Sequence, residues 1–201
     1  MIGIIDYGAG NLHSVQNALA FLGAESVVSG KPDVLFKADK IILPGVGAFG
    51  DAMSALRRSG LSGAIREIVR RGTPLLGVCL GLQLLFSESQ ESPGVPGLGL
   101  LPGTFRKIPK QDGLKIPHIG WNSLEIKKPS QILRDLGPDP YVYFVHSYCL
   151  EAKNPQDVSA YTTYGARFAV AAERDNLFAV QFHPEKSGET GLKILKNFLE
   201  L

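Results

Sequence analysis

Apolar positions along the first 86 residues follow two alternating rhythms. Ile2–Asp6 is a short apolar run closed by Tyr7-Gly8-Ala9-Gly10, which predicts a buried strand and a turn. Leu12, Val15, Leu19 and Leu22 then recur at helical spacing. Glu25–Ser29 and Lys40–Leu43 read as a second and a third strand, the third stopped by Pro44. Phe49 to Arg71 reads as two helical pieces broken near Gly60, with Arg57, Arg58, Arg66, Arg70 and Arg71 on a solvated face. Pro74–Val78 is a fourth strand, and Leu80–Phe86 opens a helix so apolar that it must be buried.

Such alternation predicts an α/β fold with a parallel sheet and helices on both faces. The second half changes character. Thr104–Ile108, Ile116–Ile119, Ser123–Ile126, Tyr141–Val145, Ser159–Thr163, Phe168–Ala172 and Phe178–Phe182 are strand-like, with one short helix near Ser130–Leu136. These read as antiparallel additions to the sheet. A last helix runs from about Glu189 to Leu199. No repeat or linker divides the chain, so residues 1–201 are expected to form a single domain.

Composition narrows the class. Lys+Arg 21 against Asp+Glu 19 leaves a net charge of +2, which gives no electrostatic reason to expect a nucleic-acid partner. The longest uncharged run, Gly72 to Ser87, is too short and too interrupted to span a bilayer, and the N-terminus lacks a signal-peptide pattern. A cytoplasmic protein with no membrane partner is the expectation. Cys79 and Cys149 make neither a disulfide framework nor a zinc spacing, and no metal motif is present.

Chemistry concentrates at Gly77-Val78-Cys79-Leu80-Gly81, between a strand and a helix. This is a nucleophile elbow with sulfur in place of oxygen. A strand turning sharply into a helix crowds the positions two before and two after the nucleophile, so glycine is expected at both. The helix start favours thiolate, and the Leu80 amide is placed to donate to an oxyanion. Cys149, inside an apolar strand, reads as a small buried side chain.

A nucleophilic cysteine needs a base. Of His13, His118, His146 and His183, the last is the sharpest candidate, because it ends an apolar strand in Phe182-His183-Pro184-Glu185. In an extended segment His183 and Glu185 point the same way, which lets the carboxylate orient the imidazole. Pro44-Gly45-Val46-Gly47-Ala48-Phe49-Gly50 contains G-x-G-x-x-G. It follows the third strand rather than the first, so a dinucleotide site is disfavoured; an oxyanion-binding backbone or a tight turn remain.

Taken together, these blocks resemble the class I glutamine amidotransferases. Within them they resemble the glutaminase subunits of imidazole glycerol phosphate synthase. The matching segments are DYGAGNLHSV (6–15), PGVGAFG (44–50), GVCLGLQLLF (77–86), IPHIGWN (116–122), YFVHSY (143–148) and QFHPEKSGETGLKILKNF (181–198). The resemblance implies a flavodoxin-like amidotransferase fold and a Cys79-His183-Glu185 triad. It also implies oxyanion and gating roles for Val46, Gly47 and Leu80, and glutamine contacts from Gln83, Ser147 and Tyr148. It implies no cofactor. The implied partner is a cyclase subunit, a (β/α)₈ barrel, with Asn11 and Tyr143 near the interface. The PGVG segment is implied to rearrange before its amide faces the oxyanion. A glutaminase subunit of another pathway and a non-catalytic flavodoxin-like binding module are the alternatives.

Overall fold

The computed structural model describes all residues, 1–201. Thirteen strands and six helices follow one another. The first half holds β1 (Ile2–Ile5), α1 (Leu12–Phe21), β2 (Ser26–Ser29), α2 (Pro32–Leu35), β3 (Lys40–Gly45), α3 (Phe49–Arg58), α4 (Leu61–Arg70), β4 (Leu75–Cys79), α5 (Leu80–Leu85) and β5 (Glu88–Ser89). The second holds β6 (Gly103–Lys107), β7 (His118–Ser123), β8 (Glu125–Ile126), β9 (Tyr141–His146), β10 (Tyr148–Ala152), β11 (Val158–Tyr164), β12 (Ala166–Arg174), β13 (Leu177–Val180) and α6 (Gly188–Leu199).

The main sheet has the order β2-β1-β3-β4-β13-β12-β10-β6-β5, with β11 and β8 added beside β12. β2, β1, β3, β4 and β13 are all parallel. β12, β10 and β6 continue antiparallel. β1 and β4 are buried at every position, as strands covered on both faces must be. Two apolar clusters lie on opposite sides of the sheet. One gathers Ile5, Leu43, Phe49, Met53, Ile65, Leu82 and Phe105. The other gathers Ile4, Leu19, Ile42, Phe144, Phe178, Phe182 and Phe198. The even and odd positions of β1 and β3 divide between them, as a period-2 strand requires.

Several sequence expectations need correction. β3 does not stop at Pro44 but runs to Gly45. Its pairing with β1 ends at Ile42 while that with β4 continues to Cys79, so the proline sits where one ladder has already finished. The strand expected at Ile116–Ile119 begins at His118, after Pro117, and runs on to Ser123 as the partner of β9. No helix forms at Ser130–Leu136. The Asn197 amide donates to the carbonyls of Ile132 and Arg134, and Glu173 accepts from the Gln131 amide, so side chains distant in sequence replace helical bonds. The last strand of the series, expected to be antiparallel, is β13, which joins β4 in parallel and so belongs to the central sheet. The break at Gly60 is as expected, with φ of 74° between α3 and α4. No helix is long and apolar enough to cross a membrane.

Candidate active site

The carboxyl ends of β3, β4 and β13 meet, and each delivers one part of the site. Register does the work: Gly45 pairs with Cys79 across β3 and β4, and Val180 pairs with Val78 across β13 and β4. The glycine loop and the His183 segment are therefore brought beside the cysteine.

Cys79 holds φ 56° and ψ −110° between β4 and α5. That conformation is rare for a side chain larger than glycine and costs about 1–3 kcal/mol. The turn is packed as the elbow pattern requires. A Cβ on Gly77 would lie 2.9 Å from the Gly81 carbonyl, and one on Gly81 would lie 1.8 Å from the Leu43 oxygen. The Cys79 thiol donates toward the Val145 carbonyl at 3.8 Å.

His183 is buried, and its Nδ1 meets the Glu185 carboxylate at 2.8 Å. The expected pairing forms, but the local reason differs. Pro184–Lys186 is a 3₁₀ turn rather than an extended segment. The Lys186 and Ser187 amides bond back to His183 and Pro184, and the Ser187 hydroxyl donates to the His183 carbonyl at 2.6 Å. Burial opposes a charged ring at His183. The Cys79 sulfur and the Glu185 carboxylate on either side outweigh that opposition and raise its pKa to about 10. The second Glu185 oxygen is buried and has no partner.

A cavity of about 290 Å³ opens over the cysteine. Val46, Gly47, Cys79, Leu80, Gln83, Ser147, Tyr148 and His183 all line it, eight of the eleven residues singled out in the sequence. Glu185 stands behind His183. Asn11 lies in an adjoining narrow crevice, with Pro44, Val46 and Glu185. Tyr143 is not in the cavity. Its carbonyl accepts from the His183 amide at 3.0 Å, and its ring meets Trp121 edge-on at 6.0 Å between centroids. Val46 is exposed and Gly47 has φ of 97°, a conformation suited to glycine.

Three features were missed in the sequence. Gln181, 1% exposed, donates to the Cys79 sulfur at 3.8 Å and accepts from the Gln83 amide at 3.2 Å. Its signal was a polar residue inside the apolar run Phe178–Phe182. Glu91 lines the cavity and accepts from the Phe49 amide at 2.8 Å, at the start of α3. His146 also lines it and pairs with buried His118 at 3.0 Å. His118 lies stacked between Phe144 and Tyr164, at 4.7 and 4.0 Å. Burial lowers both pKa values to about 4, so the two rings are neutral and can share a proton as donor and acceptor. His146 Nδ1 contacts the Tyr148 carbonyl at 2.9 Å, which ties this pair to the cavity wall. No three His, Cys, Asp or Glu side chains converge as a metal site would need.

A mixed, mostly parallel α/β sheet with a strained cysteine elbow and a histidine–carboxylate pair at its carboxyl edge defines the class. The chain belongs to the class-I glutamine amidotransferase family, whose model matches residues 3–201. Within that family it is similar to the imidazole glycerol phosphate synthase subunit HisH of Moorella thermoacetica, with 52% identity over all of this chain and 94% of the relative. The subunit HisH of Methanothermobacter thermautotrophicus is 53% identical, over all of this chain and 98% of the relative. Solved structures share the fold. A crystal structure of a glutamine amidotransferase superposes with a TM-score of 0.77 at 23% identity, covering 99% of this chain and 97% of the other. A PurLQS structure from Thermotoga maritima gives 0.78 at 22%, with the same coverage.

Proposed function

We propose that this chain is the glutaminase subunit of an imidazole glycerol phosphate synthase and supplies ammonia for a step of histidine biosynthesis. Cys79 attacks the side-chain amide carbon of glutamine. His183 takes the thiol proton and gives it to the departing ammonia, leaving a glutamyl thioester. Water activated by His183 then hydrolyses the thioester to glutamate. Glu185 holds the imidazole and balances its charge. The observation that carries this reading is the meeting of the Cys79 elbow with the His183–Glu185 pair in one cavity.

Leu80 and the Val46–Gly47 segment are assigned to the oxyanion. Gln83, Ser147 and Tyr148 are assigned to the glutamine, for which a cavity of about 290 Å³ has room. Loss of one oxyanion donor typically costs about 10²–10³ in rate. A turned-away amide in the glycine segment is therefore enough to keep the enzyme idle until a partner binds. Free ammonia would protonate and diffuse away in water, so a shielded route to a second site keeps it neutral. The partner is a cyclase subunit, a (β/α)₈ barrel, which uses the ammonia to make imidazole glycerol phosphate and an aminoimidazole carboxamide ribonucleotide. Asn11 and Tyr143 are assigned to that interface. Ile119, Trp121 and Tyr141, large apolar side chains exposed on the small β7–β9 sheet that carries Tyr143, support the assignment.

The test is glutamate release from glutamine, by this subunit alone and with the cyclase subunit and its nucleotide substrate. Low release alone and a large rise with both is the expected result. Release that ignores this partner would move the chain to another amidotransferase pathway. No release in either setting would overturn the reading.

A further inference from the structure

Gln181 occupies a position that the strand pattern reserves for an apolar side chain. Phe178, Val180 and Phe182 face one apolar cluster, and Leu177 and Ala179 face the other. By alternation Gln181 follows Leu177 and Ala179. An amide buried there is unfavourable unless its polar atoms are bonded. Both are, and both bonds lead into the site. The oxygen accepts from Gln83, a cavity residue, and the nitrogen donates to the Cys79 sulfur. The three side chains come from positions 79, 83 and 181 and converge only in the folded chain.

The sulfur has a carbonyl neighbour as well, that of Val145. A carbonyl suits a thiol, which donates; it offers nothing to a thiolate. An amide N–H suits the thiolate and gains strength when the sulfur becomes negative. We propose that Gln181 is a catalytic residue: its side-chain N–H stabilises the negative sulfur of Cys79 once the proton has passed to His183, and Gln83 holds that amide in the donating orientation. This rests on the reading of Cys79 as the nucleophile. It gives Gln83 two tasks, one toward the substrate and one toward the nucleophile.

The experiment reads the thiol directly. Alkylation of the full chain by iodoacetamide is followed from about pH 5 to about pH 10, with mass analysis of the Cys79 peptide so that Cys149 is counted separately. The titrating groups nearest the sulfur are His183 and Tyr7, with His146, Tyr148, Glu91 and Lys186 farther along the cavity wall. All of them stay in place in the variants Gln181→Met and Gln181→Glu. The expected result is a roughly tenfold slower alkylation of Gln181→Met near neutral pH, the weight of one hydrogen bond to a charged group. The midpoint of the profile moves up by about one unit. Gln181→Glu moves it further, because a carboxylate beside the sulfur repels the negative charge. Wild-type profiles in both variants would overturn the proposal. A uniform fall in rate with an unmoved midpoint would also overturn it, since that reports access alone. If Gln181→Met fails to fold, Gln181→Asn decides: its shorter amide withdraws the N–H from the sulfur and adds no charge, so a wild-type midpoint there would overturn the proposal. Cys79→Ala is assayed in parallel for glutamine hydrolysis with the cyclase. Retained activity there would remove the nucleophile reading, while the alkylation comparison still judges Gln181.

Discussion

A Cβ on Gly81 would stand 1.8 Å from the carbonyl oxygen of Leu43. That oxygen belongs to backbone of β3 and cannot swing aside. The first turn of α5 therefore touches the neighbouring strand only because position 81 has no side chain. Gly77 faces the same turn from the other side, with the Gly81 backbone 2.9 Å from its missing Cβ. Gly81→Ala must push α5 off β3, and α5 carries Leu80 and Gln83. Overpacking of this kind costs about 3 kcal/mol or more, and at about 2–4 °C per kcal/mol the melting temperature falls by about 6–12 °C. Gly63 makes the contrast. It lies in α4 with nothing within 4 Å of its missing Cβ, so Gly63→Ala raises stability by about 0.5–1 kcal/mol. Thermal melts of the two variants check both signs. Equal, small effects would mean that the elbow is not tightly packed.

On the proposed function, removal of the Cys79 sulfur should separate the two half-reactions. Cys79→Ala deletes the sulfur that His183 and Gln181 address, and leaves the exposed β7–β9 face untouched. The complex with the cyclase should lose glutamine-dependent synthesis and keep synthesis from added ammonia. Measured product formation with each nitrogen source decides it. Persistent glutamine-dependent synthesis would refute the assignment of Cys79.

The parallel half of the fold was legible because its strands are covered on both faces and its helices on one. Short apolar runs and the 3.6 period then stand out, and four of the five parallel strands follow from them; β13, read as antiparallel, does not. The meeting of Cys79 with His183 was legible because backbone chemistry marks both: two glycines that only a tight elbow needs, and a His-Pro step at a strand end. Glu185 was placed beside His183 by an extended geometry that the 3₁₀ turn replaces. Gln181 carried no such mark. One glutamine in an apolar run looks like a strand end until the sheet shows that positions 79, 83 and 181 converge. The His118–His146 pair was hidden for the same reason, since its partners lie 28 residues apart on β7 and β9. The absent helix at Ser130–Leu136 shows the reverse case, where Asn197 and Glu173 overrule local propensity from a distance.

The histidine pair gives stability a pH dependence with a definite sign. Burial lowers both folded pKa values to about 4, against 6.5 for free histidine. Between those limits the unfolded chain binds protons that the folded chain refuses, so stability falls as pH falls from about 6.5 toward 4. His183 acts oppositely. With its pKa raised to about 10, its contribution is complete below about 6.5 and is lost as pH rises toward 10, so it does not tilt the acid window. Urea midpoints at about pH 7 and pH 5 should differ clearly in the native chain. Replacement of His118 by Gln should flatten that difference. An unchanged midpoint in the native chain would mean that the pair is protonated or solvated.

The last prediction concerns the small β7–β9 sheet. Trp121 pairs with Tyr143 across its two strands, and the Tyr143 carbonyl receives the His183 amide. One face of the ribbon thus carries exposed Ile119, Trp121 and Tyr141, while its backbone is bonded to the His183 segment. A partner that covers Trp121 would press on β7, whose neighbour β9 holds His183. Trp121 is 55% exposed, so Trp121→Ala should change the stability of the isolated subunit by less than about 1 kcal/mol. As a buried aromatic anchor in the complex it should contribute about 2 kcal/mol or more, a loss of about 30-fold in affinity for the cyclase. Titration calorimetry reads the affinity, and glutamate release at saturating cyclase reads the coupling. Weakened binding with restored activity at saturation would make Trp121 an anchor only. Weakened binding with activity still low would make the ribbon a mechanical link to His183. Unchanged affinity would place the partner elsewhere on the chain.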